Sequence, residues 1–152
     1  MIRKIYKLAD AFARTMDWLA PGFLLVLRVY VAMVFFKSGL TKIMDFSSTV
    51  ALFENEYKVP IISPTLAALA GTGAELALPA FFVMGLLSRP TALAFFIFNA
   101  VACISYPDIS DAGIKDHTIW GLMMLVVLFF GPGRFSLDRV IHDKLKHSPG
   151  VA

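Results

Sequence analysis

Hydrophobic positions fall along this chain in four long blocks separated by short polar segments, the pattern of a sequence whose solvent is lipid rather than water. The first block runs from about Leu19 to Leu40, interrupted by Arg28 and ending in Lys37-Ser-Gly-Leu-Thr-Lys42. At about 1.5 Å per residue it is long enough to cross a hydrocarbon core of ~30 Å. The second runs from about Thr65 to Leu87 with Glu75 near its centre, and Ser88-Arg89-Pro90 turns directly into the third, about Thr91 to Tyr106. So short a connection predicts an antiparallel hairpin. The fourth, about His117 to Phe130, stops at Gly131-Pro-Gly133. The expected fold is all-α: a four-helix transmembrane bundle in one domain, residues 1–152, with spans about 19–40, 65–87, 91–106 and 117–130.

Two further segments carry helical periodicity. Ile2, Ile5, Tyr6, Ala9, Phe12, Ala13 and Met16 share one face, with Arg3, Lys4, Lys7 and Arg14 elsewhere. That pattern predicts an amphipathic N-terminal helix lying on an anionic leaflet or, on the alternative reading, docking on a soluble partner. Between spans one and two, Phe46, Val50, Phe53 and Tyr57 predict a short outer-loop helix from about Ser47 to Tyr57 over the mouth of the bundle. His142 and His147, in the basic tail, read as solvent-exposed.

Composition agrees: 58% hydrophobic and 16% charged residues, with a mean hydropathy of +0.73, exclude an ordinary soluble domain. The net charge of +3 does not point to nucleic acid, because no basic cluster interleaved with aromatics occurs in a soluble segment. The basic residues instead set orientation. Arg3, Lys4, Lys7, Arg14, Arg89, Arg134, Arg139, Lys144 and Lys146 fall on one side of the spans, and Lys37, Lys42, Lys58 and Lys115 on the other. Both termini and the Ser88-Arg89-Pro90 turn are therefore expected in the cytoplasm, with the N-terminus retained rather than cleaved as a signal peptide. A single cysteine, Cys103, excludes an internal disulfide and dithiol chemistry.

An ionisable side chain at membrane depth costs at least ~2.5 kcal/mol, so it faces the interior and has a partner. Counting rise per residue from the expected span edges puts Arg28 roughly 14 Å up, Glu75 roughly 18 Å, Asn99 roughly 12 Å and Trp120 roughly 15 Å, a single polar layer near the midplane. The layer is either architecture, with an Arg28–Glu75 ion pair fixing helix register, or the flank of a ligand or proton path. Nearer the exported face, Lys37, Lys42 and His117 lie close to span ends, placed to meet a polar headgroup or a quinone ring. Tyr106, Asp108, Asp111 and Asp116 accompany them, but no recognised ligand spacing is present and no metal is expected. Ala67, Ala70, Gly71, Ala74 and Ala77 form a small-residue stripe that would admit a neighbouring helix, and Pro79 should disturb the backbone near Glu75.

Leu27-Arg28-Val29, then Phe35-Phe36-Lys37-Ser38-Gly39-Leu40-Thr41-Lys42, Glu75 in mid-span, Gly85-Leu86-Leu87-Ser88-Arg89-Pro90 and Gly131-Pro-Gly-Arg-Phe-Ser-Leu-Asp138 occur in this order. The sequence thereby resembles the DoxX family from about Pro21 to Ile141. The resemblance implies a four-span protein of the bacterial inner membrane, related to the small membrane subunit of thiosulfate:quinone oxidoreductase, with a quinone as the cofactor it allows and other membrane or redox subunits as partners. Beside this redox-supporting reading stand a non-catalytic anchor or assembly partner and a small transporter or proton path. With no nucleophile motif, haem ligand pair or nucleotide loop, the residues do not decide whether the chain is an enzyme.

Overall fold

A computed structural model describes residues 2–146; the expectation for His147 lies outside them. Six helices follow one another: α1 (Ile2–Met44), α2 (Phe46–Asn55), α3 (Pro64–Met84), α4 (Ser88–Ser105), α5 (Asp111–Phe130) and α6 (Leu137–Lys146), with no strand among the described residues. Helices α1, α3, α4 and α5 are each long and apolar enough to cross a membrane. They form an up-down-up-down bundle in which α1 packs closely on α3 and α4 on α5, the two pairs joined by α3 against α4 and α1 against α5. The core is Val31, Phe35, Phe82, Ala92, Phe95, Met124 and Val127. Large apolar side chains such as Phe23, Val26, Ile97, Leu122 and Phe129 point outward, a surface that only lipid solvates well.

The N-terminal segment is helical, as its periodicity predicts, but it is not an element separate from span one. It runs into span one as a single helix of 43 residues, about 65 Å at the usual rise. Pro21 lies inside it: proline removes one backbone hydrogen bond there without ending the helix. Residues 2–20 are exposed throughout, so this half of α1 extends past the bundle.

Helix ends are set by local chemistry that hydropathy does not register. Ser110 accepts from the Gly113 N–H at 3.2 Å and caps α5, which starts at Asp111 although its first turn is polar, six residues before the expected edge at His117. Asp45 caps α2, accepting from Ser48 N–H at 3.0 Å. Hydrogen bonds from the Ser48 hydroxyl and backbone, and then from Ser47, hold its carboxyl below the usual carboxylate range. The basic tail, expected only as exposed chain, forms α6, with Val140, Ile141 and Leu145 exposed along it and His142 also exposed.

The end of the bundle that carries the N-terminal half of α1, α6 and the α3–α4 turn, called the basic end below, is tied by three of the sequence motifs. Gly85 closes α3 at φ +64°, and a Cβ there would collide with Arg28 Nη1 and Ser136. Arg28, fully buried, donates to the Val83 carbonyl at 3.0 Å and to the Phe135 carbonyl. Asp138 accepts from the Leu87 N–H at 2.7 Å, the Ser88 N–H at 2.8 Å and the Ser88 hydroxyl at 2.6 Å, supplying the cap that Leu87 lacks at the start of α4.

Candidate functional site

At the far end of the bundle α1 and α3 approach closely at Gly39, where a Cβ would stand 2.9 Å from the Leu76 side chain and 3.0 Å from Glu75 Cβ. Glycine is what lets the backbones meet there. Lys42 sits on the same helix and reaches across, its ammonium 2.6 Å from Glu75 Oε1 and 2.7 Å from Oε2, with a third bond to Ser38 Oγ at 3.0 Å. Only 14% of the Lys42 side chain and 9% of the Glu75 side chain remain exposed. The Gly-x-x-Lys motif thus has a physical meaning: the glycine admits α3 and the lysine neutralises the carboxylate that α3 brings.

Two cavities meet at this ion pair, and Lys42, Tyr57, Glu75 and Ala102 line both. The larger, about 330 Å³, lies between α3 and α4 beneath α2, walled by apolar and small side chains including Phe53, Gly71, Ala74 and Phe98. Ala70 and Val101, exposed on the lipid-facing surface, also line it, so it is open to the side. The smaller, about 190 Å³, lies within the bundle and adds Ser38, Phe35, His117, Trp120 and Tyr106. Phe35 is its aromatic hub, with ring centroids 5.4 Å from Trp120 and 6.2 Å from His117, and His117 lies 5.0 Å from Trp120. Tyr57 stacks on Phe53 at 4.6 Å and tilts against Tyr106 at 5.3 Å, closing the far end. Burial, and then the Glu75 carboxylate, push the Tyr57 phenol above its ordinary pKa, so it stays protonated.

Asn99, buried on α4, links α4 to α5: its Nδ2 donates to the His117 carbonyl at 2.9 Å, and its Oδ1 lies 2.9 Å from His117 Nδ1. Gly121 makes this possible, since a Cβ there would lie 3.3 Å from Asn99 Nδ2.

The geometry redistributes the residues that sequence reasoning grouped. Arg28 and Glu75 do not pair: Arg28 sits level with the last turn of α3, whereas Glu75 pairs with Lys42. The expected layer placed Arg28 too deep because it counted from Leu19, and a helix that continues unbroken into span one gives no such edge. Glu75, Asn99 and Trp120 do lie in one region, but their companions are Lys42 and His117, taken from the group expected at the exported face. Lys37 is exposed on the opposite side of the helix turn and does not join them. The small-residue stripe is also reassigned. The buried residues of α3 are Ala67, Ala68, Thr72, Glu75, Pro79 and Phe82; Ala67 also lines the larger cavity, with Ala70, Gly71 and Ala74, and Ala77 is exposed. Sequence reasoning took Ser38 and Phe35 only as part of the family motif, without a role at the site, and Tyr57 only as part of a covering helix. The signal for Ser38 was its position four residues before Lys42, one helical turn away.

The sequence model of the DoxX family matches residues 23–107. Among curated proteins, an uncharacterized protein of Haemophilus influenzae is 30% identical over 125 residues, covering 78% of this chain and 82% of its own length. The inner membrane protein YphA of Escherichia coli is 30% identical over 130 residues, covering 78% of this chain and 90% of its own length. No solved structure matches the chain.

Proposed function

The chain belongs to the DoxX family of membrane proteins, and from that premise we propose that it binds a lipophilic aromatic ligand of the quinone class beside Lys42 and Glu75, supporting a redox process carried by partner subunits. The observation that carries this reading is a buried ion pair lining two adjoining cavities, one apolar and open to the lipid side, the other aromatic and interior. The larger volume alone falls within the ~300–1,000 Å³ of small-molecule sites, which are mostly apolar with a few placed polar groups. A ring would enter sideways from the bilayer, rest against Phe35 and Trp120 and leave its tail along the Ala70–Val101 opening. The protein supplies position and hydrogen bonds; the electrons would belong to the ligand and the partner.

The test is a lipid extract and ultraviolet spectrum of the protein purified in mild detergent, followed by titration of the protein with a short-chain quinone and quinol. A co-purifying quinone, or saturable binding lost in Glu75→Gln, supports the reading. A clean extract together with no saturable binding of either form rejects it.

A second reading is favoured by the exposed half of α1. Residues 2–20 form a helix with an apolar stripe that stays exposed among the described residues, a shape suited to assembly with another subunit. General chemical cross-linking in native membranes of the full chain, compared with a chain lacking residues 2–18, tests it; an unchanged cross-link pattern sinks it. On both readings the basic end faces the cytoplasm, supported by the bias of nine Lys and Arg residues against four.

A further inference from the structure

Counting donors and acceptors around the interior cavity limits what can bind there. An ammonium has three N–H donors, and the Lys42 ammonium spends its bonds on Glu75 Oε1, Glu75 Oε2 and Ser38 Oγ. The lysine therefore has nothing left to give a ligand carbonyl. A carboxylate accepts at about four lone-pair positions, of which Lys42 occupies one on each Glu75 oxygen. The remaining positions are acceptors, and Glu75 lines both cavities.

His117 presents a second acceptor. The Asn99 amide is oriented by its Nδ2 donating to the His117 carbonyl, which leaves Oδ1 as the atom facing His117 Nδ1. An amide oxygen only accepts, so Nδ1 carries the proton and neutral His117 keeps a lone pair at Nε2. His117 lines the interior cavity opposite the Lys42–Glu75 pair, on α5 rather than on α1 and α3. The phenol of Tyr57, the hydroxyl of Ser38 and the indole N–H of Trp120 are donors left on the walls, while the Tyr106 phenol is bonded to Glu56.

We propose that the interior cavity is specific for a hydroxyl-bearing aromatic ring, a hydroquinone or phenol, and discriminates against the corresponding carbonyl form, with Glu75 and His117 Nε2 accepting the ligand's hydroxyl protons. This rests on the ligand-binding reading above and adds to it which redox form is held. A hydroxyl donates to the carboxylate or imidazole and can accept from Trp120, Ser38 or Tyr57 at the same oxygen. A carbonyl only accepts, so it faces the Glu75 carboxylate and the imidazole lone pair without a hydrogen to share, and both sites lose water without replacement.

The experiment is anaerobic calorimetric titration of the full chain in lipid nanodiscs with decylubiquinol and, separately, decylubiquinone. The wild type is expected to bind the quinol about tenfold or more tightly than the quinone, the scale of one hydrogen bond to a charged group. His117→Phe keeps an aromatic ring and removes the acceptor, and Asn99→Leu frees the imidazole to turn its protonated nitrogen to the ligand; both should shrink the ratio toward one. The wild-type ratio needs no variant to fold. If both forms bind the wild type equally, or if folded His117→Phe keeps the full ratio, the specificity inference falls while the binding function stands. If neither form binds, both fall.

Discussion

Removing either member of the Lys42–Glu75 pair should destabilise the protein more than removing both. At 2.6 Å the gross attraction is about 6 kcal/mol with an effective dielectric constant of ~20. Taking each ion out of water costs several kcal/mol, so the intact pair is close to balanced and replacing both members by uncharged side chains should be nearly neutral. A single substitution is different. Glu75→Gln leaves the ammonium without a counter-charge, with Ser38 and one amide oxygen as acceptors, and Lys42→Met strands a carboxylate between two cavities; each should cost about 3–5 kcal/mol. The double variant Lys42→Met, Glu75→Gln should be more stable than either parent. The assay is a double-mutant cycle in mixed micelles, with helicity followed by circular dichroism as the denaturing detergent fraction rises. Single variants that each cost under ~1 kcal/mol and simply add in the double would show that the charges are hydrated, and the buried-pair argument would be wrong.

The basic end offers independent checks. Asp138→Asn should cost about 1–3 kcal/mol, because the amide keeps one acceptor oxygen where the carboxylate bonded three donors. Burial alone would raise the Asp138 pKa, but hydrogen bonds from Ser88 and Leu87, with the Arg28 charge, outweigh it and lower it. The stabilisation is therefore present above the unfolded pKa of ~3.9 and lost as pH falls through the depressed folded value, so the gap between wild type and Asp138→Asn should close in acid; a gap that widens there refutes this assignment. Gly85→Ala forces a side chain to φ +64° and into Arg28, and should lower the thermal midpoint far more than Gly22→Ala, whose Cβ meets nothing within 4 Å. Deleting residues 2–18 should leave the midpoint of the bundle unchanged, since that segment is exposed; a large drop would mean it packs on the bundle. A reporter fused after Lys146 should be active only in the cytoplasm, and periplasmic activity would invert the orientation.

The four spans were legible because lipid imposes a strong, simple code: blocks of about 20 apolar residues. The α3–α4 hairpin was legible for a related reason, since Ser88-Arg89-Pro90 leaves no room for anything but a turn. What stayed hidden depended on rotation and register rather than hydropathy. Shifting the entry point of α1 by a few residues moves Arg28 from the midplane to the basic end. A turn of α3 by one position along its circumference separates residues that only pack, such as Ala68, Thr72 and Phe82, from residues that line a cavity, such as Ala70, Gly71 and Ala74, with Ala67 and Glu75 doing both. Neither is encoded by a count of apolar residues. Capping by Asp138, far away in sequence, is invisible to any local window.

These two kinds of information divide the molecule physically as well. At the basic end Arg28, Gly85, Ser88, Ser136 and Asp138 bond chiefly to backbone and to each other, closing the helices into a fixed frame. At the far end Lys42, Glu75, Asn99 and His117 bond across helices around open volume. Polar groups that bond to one another and to packed backbone rigidify a bundle, whereas those that border a cavity retain acceptors for something else. The difference makes the two ends separable by experiment. Substitutions at Arg28 or Asp138 should lower stability and binding together, because they loosen the frame. His117→Phe should leave the thermal midpoint within a few degrees of wild type and change only which ligand form is held. If instead the basic-end variants altered ligand preference at unchanged stability, the division between frame and site would be false, and Arg28 would belong to the site after all.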